Sequence, residues 1–174
     1  MCHINSTLDL KMVGWVGDSI SEVSPHLFAD ADFAGCLKTA RSTSGIFLGL
    51  YGPDTRFPLQ AQSTRQGCVS HSTTESEIVV ADMALRTIGI PALELWSVIL
   101  NRPDLSITFH EDNQAMIKVM ESGRNPTMRH VGRTHRVSIA WLHEKFKQAW
   151  LDLIYEDTRK QAADVFTKAF TDTE

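Results

Sequence analysis

Hydrophobic and polar positions along the chain fall into short blocks. His26–Phe33 and Ser44–Tyr51 are apolar and rich in aromatic or β-branched residues, and both predict strands. The polar stretch Gly35–Thr43 turns the chain between them, and Gly52-Pro53-Asp54 is a strong turn signal. Gln66–Ser70 predicts a short third strand. Ser72-Thr73-Thr74 then opens a helix, with Ser72/Glu75 and Thr74/Glu77 both at capping-box spacing. This helix is expected to reach Ile88, to be kinked or broken at Pro91, and to resume over Ala92–Leu100. Leu105–His110 alternates as a strand, Asn113–Glu121 predicts a helix, and Gly123–Gly132 is a basic loop expected to be exposed and mobile. A helix over Arg133–Ala149, a strand over Leu151–Tyr155 and a last helix over Lys160–Phe170 complete the pattern. The order β-β-β-α-β-α-α-β-α predicts an α/β fold, a mixed sheet flanked by helices. Residues 1–22 are weakly patterned and read as a linker or tail, leaving 23–171 as one domain.

Composition alters this picture little. At 174 residues, 43% hydrophobic and 22% charged, the chain is an ordinary globular domain in size and polarity. No apolar run approaches the roughly 18–20 residues of a membrane span, and no leader pattern is visible. Cys2, Cys36 and Cys68 have neither disulfide nor zinc-knuckle spacing and predict reduced thiols and an intracellular, cytoplasmic protein. The net charge of −4 runs against nucleic-acid binding, but its distribution runs the other way. Residues 1–35 hold Asp9, Asp18, Glu22, Asp30 and Asp32 against Lys11. Residues 118–147 hold seven Lys or Arg against Glu121 and Glu144. An acidic cluster beside a basic segment suits a protein that holds metal ions at one place and phosphate at another.

Four acids fall at predicted strand ends or helix starts: Asp30, Glu77, Asp112 and Asp164. There an open sheet presents side chains to a common crevice, and gathered carboxylates call for a cation. Each has a plainer explanation: a turn residue at Asp30 or Asp32, a capping partner at Glu77, an N-cap at Asp112, a dipole contact at Asp164. Glu75 and Glu77 project about 200° apart on a helix, so one faces the crevice and Glu75 is expected to face solvent. Strand parity does not separate Asp30 from Asp32.

Several segments then match a known family in order. Phe28-Ala-Asp-Ala-Asp-Phe-Ala-Gly-Cys36 with Arg41-Ser-Thr-Ser-Gly45, Ser72-Thr-Thr-Glu-Ser-Glu77, Glu111-Asp-Asn-Gln-Ala-Met-Ile117 and Gln161-Ala-Ala-Asp-Val-Phe-Thr-Lys168 resemble the ribonuclease H domain of copia-type retrotransposon polyproteins. The loop residues Asn125-Pro126, His130 and Arg133-Thr134 add to the match, which spans roughly residues 26–170. The resemblance implies a ribonuclease H-like fold with a five-stranded mixed sheet. It implies two Mg2+ or Mn2+ ions and endonucleolytic cutting of the RNA strand of RNA–DNA hybrids. It also implies a reverse transcriptase upstream on the same polyprotein, inside the cell or within virus-like particles. Carried over by position, the metal ligands are Asp30, Glu77, Asp112 and Asp164, and His130 matches a mobile histidine that aids proton transfer or product release. Arg124, Arg129, Arg133 and Arg136 are the expected nucleic-acid contacts.

The chain departs from the family at Ile78, where a Tyr is usual. It departs again at His135-Arg136-Val137-Ser138, where Lys-His-Ile-Asp is usual, and its basic loop is two residues longer. His135 therefore reads as structural. Rival readings are a catalytically inactive hybrid-binding or structural module, a glycosyltransferase using Asp30-Ala-Asp32, and an integrase core. An integrase spacing would need an acid about 35 residues after Asp112, where Lys147 stands.

Overall fold

The computed structural model describes Lys11 and residues 13–168. Five strands form one sheet: β1 (Ser24–Asp32), β2 (Thr43–Tyr51), β3 (Arg56–Arg65), β4 (Ile107–Glu111) and β5 (Leu151–Tyr155), in the order β3-β2-β1-β4-β5. β1–β2 and β2–β3 are antiparallel, whereas β1–β4 and β4–β5 are parallel, so the sheet is mixed as expected. The helices are α1 (Thr73–Ala84), α2 (Ile90–Ile99), α3 (Gln114–Ser122), α4 (Val131–Thr134) and α5 (Ile139–Phe146). One sheet face, with Leu27, Ala29, Ile46, Leu48, Ile107 and Phe109, packs with α1, α3 and α5 to make the core. Among the described residues, no helix is long and apolar enough to cross a membrane.

Four elements differ from the sequence pattern. The third strand is Arg56–Arg65, and Gln66–Ser70 is irregular. β3 is a mostly exposed edge strand containing Pro58; its ladder with β2, rather than an apolar face of its own, makes it a strand. Trp15 pairs with Arg56 along this edge. Pro91 does not break its helix. The five residues Leu85–Gly89 form a π-turn joining α1 to α2, which puts Pro91 in the first turn of α2, where a missing N–H is tolerated. The single helix expected over Arg133–Ala149 is two. Arg136 has φ 59°, which ends α4, and Ser138 Oγ caps α5 by accepting the Trp141 amide at 3.2 Å. The last helix is replaced, within the described residues, by 3-10 turns at Thr158–Lys160 and Asp164–Phe166; its predicted end at 169–170 lies outside them.

The Asp164 turn docks on the second sheet face. Gly45, paired with Asp30, makes room for it: a Cβ there would sit 2.5 Å from the Ala163 carbonyl oxygen and 2.7 Å from Thr167 Cγ2. Phe166 stacks on Phe47 just beyond. Gly45→Ala is therefore expected to push the turn off the sheet and cost about 1–3 kcal/mol, as overpacking does. Thermal denaturation checks this, and an unchanged melting temperature would show that the turn is not held there.

Candidate metal centre

Capping chemistry at two helix starts leaves two acids free. Ser72 caps α1 by accepting the Glu75 amide at 3.1 Å, so Glu77 is not used as a capping partner. Asn113 caps α3 by accepting the Met116 amide at 3.0 Å, so Asp112 is not the N-cap. The Asp112 carboxylate instead accepts from the Thr158 hydroxyl at 2.8 Å. Asp30, at the end of β1, accepts from the Thr167 hydroxyl at 2.8 Å. One carboxylate oxygen from each of Asp30, Glu77 and Asp112 lies within 4.8 Å of the others. Asp30 and Glu77 are buried and Asp112 is half-buried.

Asp164 stands beside this group, not in it. Its carboxylate pairs with Lys168, yet its charge still reaches Asp30. Asp32 is set apart from Asp30 by position: its carboxylate lies over Gly35, where an added Cβ would collide with it. Glu111 is a fourth carboxylate at the cluster that pattern reading passed over. It is fully buried, its Oε1 accepts the Asn113 amide, and its Oε2 has no hydrogen-bond partner among the described residues. The signal was strand parity, since Glu111 alternates with the core residues Ile107 and Phe109. Thr158 and Thr167 were missed too; nothing in the local pattern marks Thr158, whereas Thr167 lies within the Gln161–Lys168 motif.

Burial and mutual repulsion disturb these groups. Loss of solvent raises the Asp30 carboxyl most; the Thr167 hydrogen bond opposes this, and the charges of Asp112 and Asp164 add to it. Glu77 is pushed well above the ordinary carboxylate range by burial first, then by Glu111, Asp30 and Asp112. Glu111 is raised likewise, chiefly by burial. A hard divalent cation fits this donor set. It prefers carboxylate oxygens, and the buried Glu77 Oε2 has no hydrogen-bond partner among the described residues.

The same strands carry a buried imidazole chain. His26 Nδ1 lies 2.8 Å from His110 Nε2, and His110 Nδ1 lies 2.9 Å from Glu156. Burial, then His110 and Arg56, lowers the His26 value to about 4; burial also lowers His110 in spite of Glu156. The chain is therefore a neutral hydrogen-bonded one rather than an ion pair.

Two sequence expectations change here. Glu75 does not face solvent: it is 1% exposed and lies against His71, His130 and His135. The half-turn offset from Glu77 is present, but the 123–138 segment covers that side. His130 accordingly contacts Glu75 and makes no hydrogen bond with the three clustered acids. Its loop also holds a 3-10 turn, Pro126–Met128, and buries Met128 and Val131, so it is packed rather than loose. Arg124, Arg129, Arg133 and Arg136 are all exposed and form no salt bridge among the described residues. Arg124 and Arg129 line a cleft of about 560 Å³ with Asn125 and Ser138.

No protein-family model matches the sequence, and no curated protein does. Solved structures do. RNase H1 from the halophilic archaeon Halobacterium salinarum superposes with a TM-score of 0.56 at 12% identity, covering 82% of this chain and 93% of that one. The sheet order and helical layer described above agree with that likeness. The chain has the ribonuclease H fold. Looser similarities are to the N-terminal RNase H domain from Mycobacterium tuberculosis (TM-score 0.49, 12% identity, 83% and 91% covered) and the RNase H domain of PFV (0.49, 14%, 84% and 89%). Identities this low speak to the fold, and the chemistry has to be argued from this chain's own residues.

The raised carboxyls make stability depend on pH. A carboxyl whose folded value exceeds its unfolded one binds more protons when folded. Its contribution is full below the ordinary value of 4.5 and is lost as pH rises through the folded value. The lowered histidines act oppositely, losing stability as pH falls from 6.5 toward 4. Glu77→Gln isolates the acid effect. Without metal, its melting temperature should exceed that of the wild type by more at pH 8 than at pH 5. A pH-independent difference would show that Glu77 is not strained by charge.

Proposed function

We propose that this chain is a metal-dependent ribonuclease H, an endonuclease that hydrolyses the RNA strand of RNA–DNA hybrids. The observation that carries the reading is the convergence of Asp30, Glu77 and Asp112 within 4.8 Å on a ribonuclease H fold. These three, with Asp164 alongside, would hold two divalent ions, Mg2+ or Mn2+. Such ions activate a water and stabilise the leaving oxygen of a phosphodiester. The chain's own part is placement. Thr167 fixes the Asp30 carboxylate and Thr158 fixes that of Asp112. The exposed arginines Arg124, Arg129, Arg133 and Arg136 hold phosphates without reading bases. Hydrolysis adds water across the P–O3′ bond, leaving a 3′-hydroxyl on one RNA fragment and a 5′-phosphate on the other.

The copia-type motifs support a place beside a reverse transcriptase on a retrotransposon polyprotein. A net charge of −4 predicts weak affinity for nucleic acid in isolation, which tethering to that partner offsets through effective concentration. A second reading, a hybrid-binding module without turnover, is favoured by the engagement of Asp164 with Lys168, outside the group of three.

A fluorescent RNA–DNA duplex in Mg2+ separates the two readings. The wild type should cut the RNA strand, and Asp112→Asn should lower the rate at least about 100-fold with the fold intact, because it removes a ligand charge. Hybrid affinity should fall steeply with added salt. Equal cutting of duplex DNA would refute the substrate assignment, and binding without cutting would establish the second reading.

A further inference from the structure

Glu75 lies outside the metal chemistry yet is among the most deeply buried charged side chains in the chain, 1% exposed. A buried carboxylate requires partners, and those of Glu75 among the described residues come from two places. The His71 amide, just before α1, donates to Oε2 at 3.1 Å. Two imidazoles come from the basic segment: His130 Nε2 lies 3.1 Å from Oε2, and His135 Nε2 lies 3.1 Å from Oε1. The His135 contact is close but out of line for a hydrogen bond, so it holds that ring against the carboxylate by packing.

His130 and His135 sit at the two ends of α4, immediately before Val131 and immediately after Thr134. One carboxylate therefore grips both ends of a single helical turn. The turn is internally stiff, with Arg133 and Thr134 amides donating to the His130 carbonyl and the His135 amide to that of Val131. Val131 is fully buried beneath it, and the Cys68 thiol donates to the Thr134 carbonyl at 3.0 Å. Arg129 adjoins one histidine, Arg136 adjoins the other, and Arg133 rides between them. Glu75 is also two residues from Glu77 on α1, so one helical turn is the common reference for the acid cluster and for these three arginines.

We propose that Glu75 is a positioning residue that clamps the arginine-bearing segment through His130 and His135 and sets the phosphate grip at a fixed offset from the acids. The clamp itself follows from the geometry; its consequence for hybrid binding rests on the nuclease reading above. Without the clamp, the segment samples arrangements that do not match the duplex, and apparent affinity falls by the fraction of time it is misplaced.

The test uses the full chain and the variants Glu75→Ala, Glu75→Gln and His130→Ala, the last at a half-exposed position where folding is safe. Amide hydrogen exchange in the free protein reads the clamp without any activity. Residues 129–137 should lose protection in Glu75→Ala and His130→Ala while β4 and β5 keep theirs, and Glu75→Gln, which retains an acceptor for His71, should fall between. Anisotropy with a labelled hybrid in EDTA should show Kd rising about tenfold if the aligned fraction drops to about a tenth. In Mg2+, the two Glu75 variants should raise KM while kcat stays within about twofold. Unchanged exchange would overturn the clamp. Lost protection with unchanged hybrid affinity, or a fall in kcat at constant KM, would overturn its positioning role. A wild type with no hybrid affinity would refute the nuclease reading, and exchange would still decide the clamp.

Discussion

Carboxylate crowding is the constraint on which the rest of the structure depends. Two unit charges 4.8 Å apart in an effective dielectric of about 20 repel by roughly 3.5 kcal/mol, and burial adds to the cost of each charge. Asp30, Glu77, Asp112 and the adjacent Glu111 meet that cost together. They stay together because other interactions oppose it. The β1–β4 parallel pairing aligns two strand ends, the Ser72 and Asn113 caps start two helices at the right depth, and the Thr158 and Thr167 hydroxyls hold two of the acids. A site built this way stores unfavourable energy that either protons or a cation can relieve. The raised carboxyl values and the fit to a divalent ion are therefore two consequences of one arrangement.

Much of this was legible before any coordinates. Strands whose pattern is set by burial, β1, β2, β4 and β5, announce themselves through apolar runs or alternation. The predicted element pattern placed the clustered acids at strand ends and helix starts, and the family resemblance then singled them out as ligands. β3 was not legible in the same way, because an edge strand with one polar face draws its stability from a neighbour's ladder, not from its own composition. The π-turn before Pro91 shows a similar limit. A proline signals that a helical hydrogen bond is lost, but not whether the helix breaks or widens to absorb the loss. The chain after Lys160 has a helical pattern, yet its described part folds as 3-10 turns docked over Gly45.

Glu75 shows most clearly where local reasoning stops. Helix geometry put it half a turn from Glu77, which holds. The inference that this side meets solvent required knowing where a segment some 55 residues later would fold. Glu111 is the converse case: its alternation with Ile107 and Phe109 pointed inward, but the predicted strand stopped at His110 and the family likeness drew attention to the next residue.

The packing of His130 bears on how protons move at the site. A carboxylate can only accept, so its contact with an imidazole fixes the facing nitrogen as the N–H donor and leaves the other as the basic one. Here Nε2 is held 3.1 Å from a buried carboxylate, and the ring meets His71 edge-on with centroids 5.1 Å apart. Swinging the ring away would leave Glu75 without one of its partners. His135, at the other end of the same turn, is more deeply buried still, with its side chain 2% exposed. As packed in this structure, the two histidines stand at the ends of one helical turn, both against Glu75.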